Sequence, residues 1–254
     1  MALKIIITGA SSGIGQALAK EYDKKDVVIG LLARRKDKLI ELQKTLSCKS
    51  LIFSVDVTDL AQCRRAAEEF MALHGTPDIV IANAGISSGT LTENFSDLVT
   101  FKKIIATNLI GVTHTFYPFI QPFRKRGSGH FIGISSVAGI RGIPGAGAYS
   151  ASKAALINYL ESLRIELSTS NINVTTIAPG YITTPMTDAN QYSMPFLMPV
   201  DKAAQAMVRA IKKKKKFIVI PWQMNFIARI MRLLPISVWD LLAKKAPRKK
   251  TISL

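Results

Sequence analysis

The chain has 254 residues, 48% of them hydrophobic and 20% charged, which allows one large domain or two small ones and excludes wholesale disorder. Its 16 glycines exclude a collagen-like repeat, and its two cysteines, Cys48 and Cys63, with no CxxC pair, exclude a disulfide scaffold and a structural zinc site. The net charge of +17 is uneven: residues 202–254 hold 14 Lys and Arg against one acid, Asp240, while residues 1–201 hold 20 bases and 16 acids. A nearly balanced body with a basic tail differs from a uniformly basic nucleic-acid binder, so nucleic acid is not the expected partner.

In chain order, short apolar runs at 3–7, 27–33, 51–55, 79–82, 130–135, 174–178 and 217–220 predict strands. They are near-continuous in Val, Ile, Leu and Phe, the pattern of strands covered on both faces. Amphipathic segments near 14–22, 37–47, 60–74, 99–126, 148–168 and 201–213 separate them. The alternation predicts an α/β protein, a doubly wound parallel sheet of about seven strands with helices on both faces. One domain is expected over 1–221, followed by a helical, basic arm over 222–254. The apolar stretch before Thr8-Gly9 is too short for a signal sequence, and no uncharged run approaches the ~20 residues that span a bilayer. A cytoplasmic protein is the expectation.

The first strand ends in Thr8-Gly9-Ala10-Ser11-Ser12-Gly13-Ile14-Gly15, with a helical pattern directly after it. Glycines there permit a tight turn and close approach of a ligand, and the helix N-terminus offers free N–H groups to a pyrophosphate. This is the setting of a Rossmann-type dinucleotide fingerprint. The second strand closes in Arg34-Arg35 where an acid would select NAD; two guanidinium groups suit a 2′-phosphate and favour NADP. Asp56, with Val57 after it, and Asn83-Ala84-Gly85 follow the third and fourth strands, where ligands bind in open parallel sheets. Asp56 suits an adenine amino group, and Asn83 suits a turn equally well.

Tyr149 and Lys153 stand at i and i+4 on one helix face, and Ser136 precedes Tyr149 by thirteen residues at the end of the fifth strand. A phenol is a poor proton donor near neutrality unless a neighbouring cation stabilises its anion, and a hydroxyl can steady charge on a substrate oxygen. The three histidines, His74, His114 and His130, show no ligand spacing, so no metal is expected.

Together these motifs, with Asn108 and Pro179-Gly180-x-x-x-Thr184, resemble the short-chain dehydrogenase/reductase family over residues 4–221. The resemblance implies Tyr149 as general acid and base, Ser136 as the hydrogen-bond donor to the carbonyl, and Lys153 on the nicotinamide ribose, lowering the tyrosine pKa. It implies that the Asn108 main chain fixes a relay water, and that Pro179, Gly180, Ile182 and Thr184 bound the nicotinamide. It also implies a homodimer or homotetramer through helices near 99–126 and 148–168. The expected activity is NADP-dependent interconversion of a carbonyl and an alcohol. Epimerase or dehydratase chemistry on the same fold is the second reading, and a dinucleotide sensor without turnover the third; the intact Ser136, Tyr149 and Lys153 weigh against the sensor.

Methionines and prolines over 185–200 suit an adaptable lid on a lipophilic substrate. In the arm, Ile227, Ile230, Met231 and Leu234 recur at helical spacing, followed by Val238, Trp239, Leu241 and Leu242 and by Lys244, Lys245, Arg248, Lys249 and Lys250. This fits either a helix lying on an anionic membrane or an arm packed on protein.

Overall fold

The computed structural model describes residues 2–188, 190 and 192–244. Seven strands form one parallel sheet: β1 Leu3–Thr8, β2 Val27–Ala33, β3 Lys49–Ser54, β4 Ile79–Ala82, β5 Gly129–Ile134, β6 Ile172–Pro179 and β7 Phe217–Ile220. Their order across the sheet is β3-β2-β1-β4-β5-β6-β7. The helices are α1 Gly13–Glu21, α2 Lys36–Thr45, α3 Leu60–His74, α4 Phe95–Ile105, α5 Gly111–Arg126, α6 Gly147–Glu166, the single turn α7 Pro185–Asp188, α8 Val200–Lys212, α9 Trp222–Leu233 and α10 Ile236–Ala243.

Alternate strand residues feed two cores, one on each face of the sheet. Ile5, Ile7, Ile29 and Leu31 join α1, α2 and α8 through Leu18, Leu39 and Met207. Ile6, Val28, Val80 and Phe131 join α3, α5 and α6 through Phe70, Phe116 and Leu160. Burial on both faces is why the strands read as apolar runs rather than as an alternating pattern. The edge strand β3 starts two residues earlier than its apolar run because Lys49 and Ser50 pair with Val28 and Ile29 without facing a covered core.

Two differences from the sequence reading bear on the site. The segment expected as one helix over 99–126 is α4 and α5 joined by a π-helical turn, Ala106–Ile110, with Asn108 at its centre. The arm helix begins at Trp222, and Met224 and Ala228 are its buried residues. Ile227 and Met231 pack beside these two, whereas Ile230, expected on the same stripe, faces outward at 42% exposure. Lys245, Arg248, Lys249 and Lys250 lie outside the described residues.

The strand order reverses between β1 and β4, one leading outward through β2 to β3 and the other through β5 to β7. Their carboxyl ends therefore diverge and leave a crevice, where open α/β sheets bind ligands.

Candidate active site

The turn from β1 to α1 sits in this crevice. Gly9 has φ +66° and Gly13 φ +56°, a region that side chains other than glycine adopt at a cost. A Cβ on Gly15 would overlap the Gly9 carbonyl oxygen and approach Asn83 Nδ2 to 2.6 Å, so only hydrogen fits. Ser12 caps α1 in extended conformation without a side-chain hydrogen bond to the helix, which leaves its first-turn N–H groups to another acceptor. Ile14 turns its side chain into the core beside α1. A cradle that a Cβ would fill, at a helix N-terminus, fits a dinucleotide pyrophosphate.

Asn83 serves this turn rather than facing outward. Its Nδ2 donates to the carbonyls of Thr8 (3.0 Å) and Gly9 (3.3 Å), and the N–H groups of Asn83 and Ala84 donate to Thr8 Oγ1 at 3.0 and 3.1 Å. Of the two readings open for Asn83, its side chain takes that of a turn residue, clamping β4 to the glycine turn, and Thr8 is a supporting residue that the sequence reading missed. Across the crevice, Thr184 lies 3.4 Å from a Cβ built on Gly13. Its N–H donates to Thr187 Oγ1 (2.9 Å), which itself donates to the Ile182 carbonyl (2.7 Å). Ile182 is buried.

The two arginines after β2 differ. Arg35 Nη2 donates to Ser11 Oγ (3.0 Å) and Ser12 Oγ (2.9 Å), placing its guanidinium over the phosphate turn. Arg34 is exposed, and its carbonyl accepts from Ser54 Oγ. Asp56 Oδ1 accepts from the N–H and hydroxyl of Thr58 (2.9 and 2.8 Å), so one carboxylate oxygen closes a local turn. Val57 is buried, with its carbonyl 3.1 Å from His114 Nδ1.

At the carboxyl ends of β5 and β6, α6 brings Tyr149 and Lys153 to the segment after Ile134. Lys153 is 4% exposed; its Nζ donates to the Ile134 carbonyl (2.8 Å) and lies 5.8 Å from the Tyr149 ring centroid. Burial lowers its pKa to about 8. Ser135 Oγ donates to the Lys153 carbonyl (2.9 Å), and Gly139 passes so close to that carbonyl that a Cβ would stand 2.8 Å from it. Ser136 caps the 3₁₀ turn Val137–Gly139, accepting from Ala138 N–H (3.1 Å), and its hydroxyl points to the Pro179 carbonyl (3.4 Å). Burial raises the half-buried Tyr149 hydroxyl above the ordinary phenol value, and Ser136 partly offsets the rise.

Asn108 is fully buried in the π turn. Its side chain pairs with the Ile86 backbone in both directions (2.8 and 3.0 Å) and donates to Ser152 Oγ (3.0 Å). Ser152 donates in turn to the Tyr149 carbonyl (2.7 Å). Between them, Gly85 lies against both side chains: a Cβ there would stand 3.6 Å from Lys153 Nζ and 3.2 Å from Asn108 Oδ1. Ser152 is a second residue that the sequence reading missed, since a serine inside a helix carries no signal of its own. Gly180 donates its N–H to the Ile220 carbonyl (2.8 Å), and a Cβ on it would meet Met224 of α9. Among the described residues no group of three or more His, Cys, Asp or Glu stands where it could hold a metal ion.

A parallel doubly wound sheet, a glycine turn at its switch point and a Tyr–Lys pair at the neighbouring strand ends define a dinucleotide-dependent oxidoreductase. The sequence profile described as short chain dehydrogenase matches residues 4–194. The chain belongs to the short-chain dehydrogenase/reductase family, whose cofactor is a nicotinamide dinucleotide. It is similar to an uncharacterised oxidoreductase of Myxococcus xanthus, 33% identical over 243 residues that cover 94% of this chain and 96% of the relative. It is also similar to an Arabidopsis thaliana protein named 11-beta-hydroxysteroid dehydrogenase-like 2, 34% identical over 240 residues, 91% of this chain and 77% of the relative. A solved structure of a 3-ketoacyl-ACP reductase from Sinorhizobium meliloti superposes with a TM-score of 0.74 at 27% identity, covering 85% of this chain and 97% of that one. A short-chain dehydrogenase from Streptomyces avermitilis, 23% identical, shares the fold with a TM-score of 0.81 over 96% and 98% of the two chains.

Proposed function

We propose that the chain is an NADP(H)-dependent oxidoreductase that interconverts a ketone or aldehyde and an alcohol on a lipophilic substrate, with Tyr149 as general acid and base. The observation that carries this reading is the meeting of Ser136, Tyr149 and Lys153 at the strand ends beside the glycine turn. The names of two similar proteins, a hydroxysteroid dehydrogenase-like protein and a ketoacyl reductase, agree with carbonyl chemistry.

A bound nicotinamide dinucleotide supplies the hydride. Gly9, Gly13, Gly15 and the first turn of α1 would hold its pyrophosphate, and Arg35, already seated on Ser11 and Ser12, suits a 2′-phosphate. Asp56 and Val57 would border the adenine side, and Pro179, Gly180, Ile182 and Thr184 the nicotinamide side. Ser136 holds the substrate carbonyl and Tyr149 delivers a proton to the same oxygen. Lys153, when protonated, favours the phenolate that remains, and Asn108 keeps the π turn beside Lys153.

Exposed apolar side chains on α4, α5 and α6, among them Phe95 (84%), Tyr117 (60%) and Ile165 (62%), support a homodimer or homotetramer. Cys48 and Cys63 stand free and buried, which suits a reducing, cytoplasmic setting, and the basic arm suits peripheral contact with an anionic membrane.

The test is NADPH consumption with a panel of hydrophobic ketones, for the protein and for Tyr149→Phe. The expected outcome is turnover that falls by about 10²–10⁴ in the variant while NADPH binding persists. Near-normal turnover would refute the assignment.

A further inference from the structure

The helices α9 and α10 have two unlike faces. Inward, Met224 and Ala228 are buried with Val137, Ala178 and Val219. Arg141, five residues after Ser136, fastens them: its Nη1 donates to the Leu234 carbonyl (3.1 Å), and its guanidinium lies 5.2 Å from the Trp239 ring centroid. With Met224 against Gly180, the arm borders the site on the side of Ser136 and Gly180.

Outward, Trp222, Phe226, Ile230 and Leu233 form one stripe of α9 at 76%, 66%, 42% and 83% exposure. Ile236 and Leu241 of α10 add 75% and 67%. Among the described residues nothing covers this surface, and a contiguous apolar patch of this kind marks an interaction site. Charge selects the partner. Residues 222–254 carry seven Lys and Arg against Asp240, and Arg229, Arg232 and Lys244 are exposed on the same segment. A symmetric contact with a second copy would set these bases against their own mates, whereas anionic headgroups neutralise them. Tryptophan at the edge of such a stripe suits the boundary between headgroup and acyl chain. The five lysines at 212–216 precede β7, at the opposite end of the sheet, and take no part in this surface.

We propose that the outer face of α9 and α10 seats on an anionic lipid bilayer, and that the site takes its carbonyl or alcohol substrate out of that bilayer. The second half rests on the oxidoreductase reading; the first does not.

The experiment is flotation of the full chain with vesicles of phosphatidylcholine, alone or mixed with phosphatidylglycerol. The same vesicles then carry a long-chain ketone for NADPH oxidation, with a short water-soluble ketone measured beside it. Binding is expected only with phosphatidylglycerol, weakening with salt and by about fivefold for each of Arg229→Gln and Arg232→Gln. Phe226→Glu with Leu233→Glu is expected to weaken binding by about tenfold or more. The same double variant should lose reduction of the vesicle-held ketone and keep that of the soluble one. No flotation of the wild type in low salt overturns the bilayer seat, as does self-association that this double variant abolishes. Equal rates on the vesicle-held ketone overturn substrate delivery from the bilayer. Wild type that floats yet reduces neither ketone overturns the oxidoreductase reading and leaves the lipid seat standing.

Discussion

Ser152 Oγ links two elements that approach the reacting centre from different directions: it accepts from Asn108 Nδ2 (3.0 Å) in the π turn and donates to the carbonyl of Tyr149 (2.7 Å) one turn back on α6. Both Ser152 and Asn108 are fully buried.

Ser152→Ala leaves the Asn108 amide with one partner fewer in a dry site, at a cost of about 1–3 kcal/mol in stability. Thermal denaturation should register the loss. Because the π turn and α6 lose a shared anchor, turnover should fall more than the KM for coenzyme rises, and Ser152→Thr, which restores a hydroxyl, should recover part of both. A variant as stable and active as the wild type would rule out the link.

Arg35, and not Arg34, sits on the phosphate-turn serines. Arg35→Ala is expected to raise the Kd for NADPH by about ten- to a hundredfold while that for NADH changes little, since only the former carries the 2′-phosphate that a guanidinium engages. Arg34→Ala should have a smaller effect. Side-by-side fluorescence titrations with the two coenzymes measure this, and equal affinities in the wild type would remove the proposed role.

Gly15→Ala would force a Cβ against the Gly9 carbonyl and the Asn83 amide, which donates both to that carbonyl and to the Thr8 carbonyl at the β1 end. Overpacking of this kind costs about 1–3 kcal/mol and opens the turn, so coenzyme affinity should fall with stability. Gly142→Ala, where a Cβ meets nothing within 4 Å, is the control and should match the wild type in both measurements.

His130 is buried at the start of β5 with Nε2 2.8 Å from Thr175 Oγ1, and burial, aided by Lys214, lowers its pKa from 6.5 to about 4. Between these values the unfolded chain binds the proton that the folded chain refuses. Stability is therefore full above pH 6.5 and falls by about 3 kcal/mol as the pH drops toward 4. Denaturant unfolding across this range should show the loss, and His130→Gln, which has no such titration, should flatten it.

The sequence made the layers legible because strands covered on both faces must be apolar throughout; 27–33, 79–82 and 217–220 match β2, β4 and β7 residue for residue. The glycine turn and the Tyr149–Lys153 pair were legible for a related reason, since a tight turn and a shared helix face are local spacings. Other features depend on partners distant along the chain. The π turn at Asn108, the clamp of Asn83 on Thr8 and Gly9, and the anchor at Ser152 join residues 22 to 75 positions apart, and no local pattern announces them. The arm shows the same division: its helical spacing was readable, but not that Ile227 and Met231 of its apolar stripe pack inward while Ile230 faces outward, because periodicity gives a helix a face without saying what the face meets. What the amino-acid order determined alone was an alternation of buried strands and amphipathic helices with a glycine turn at its head. Only the folded chain decided which of two adjacent arginines reaches that turn, and which side of the final helices is left to the surroundings, because both depend on distances between segments that meet only after the sheet has formed.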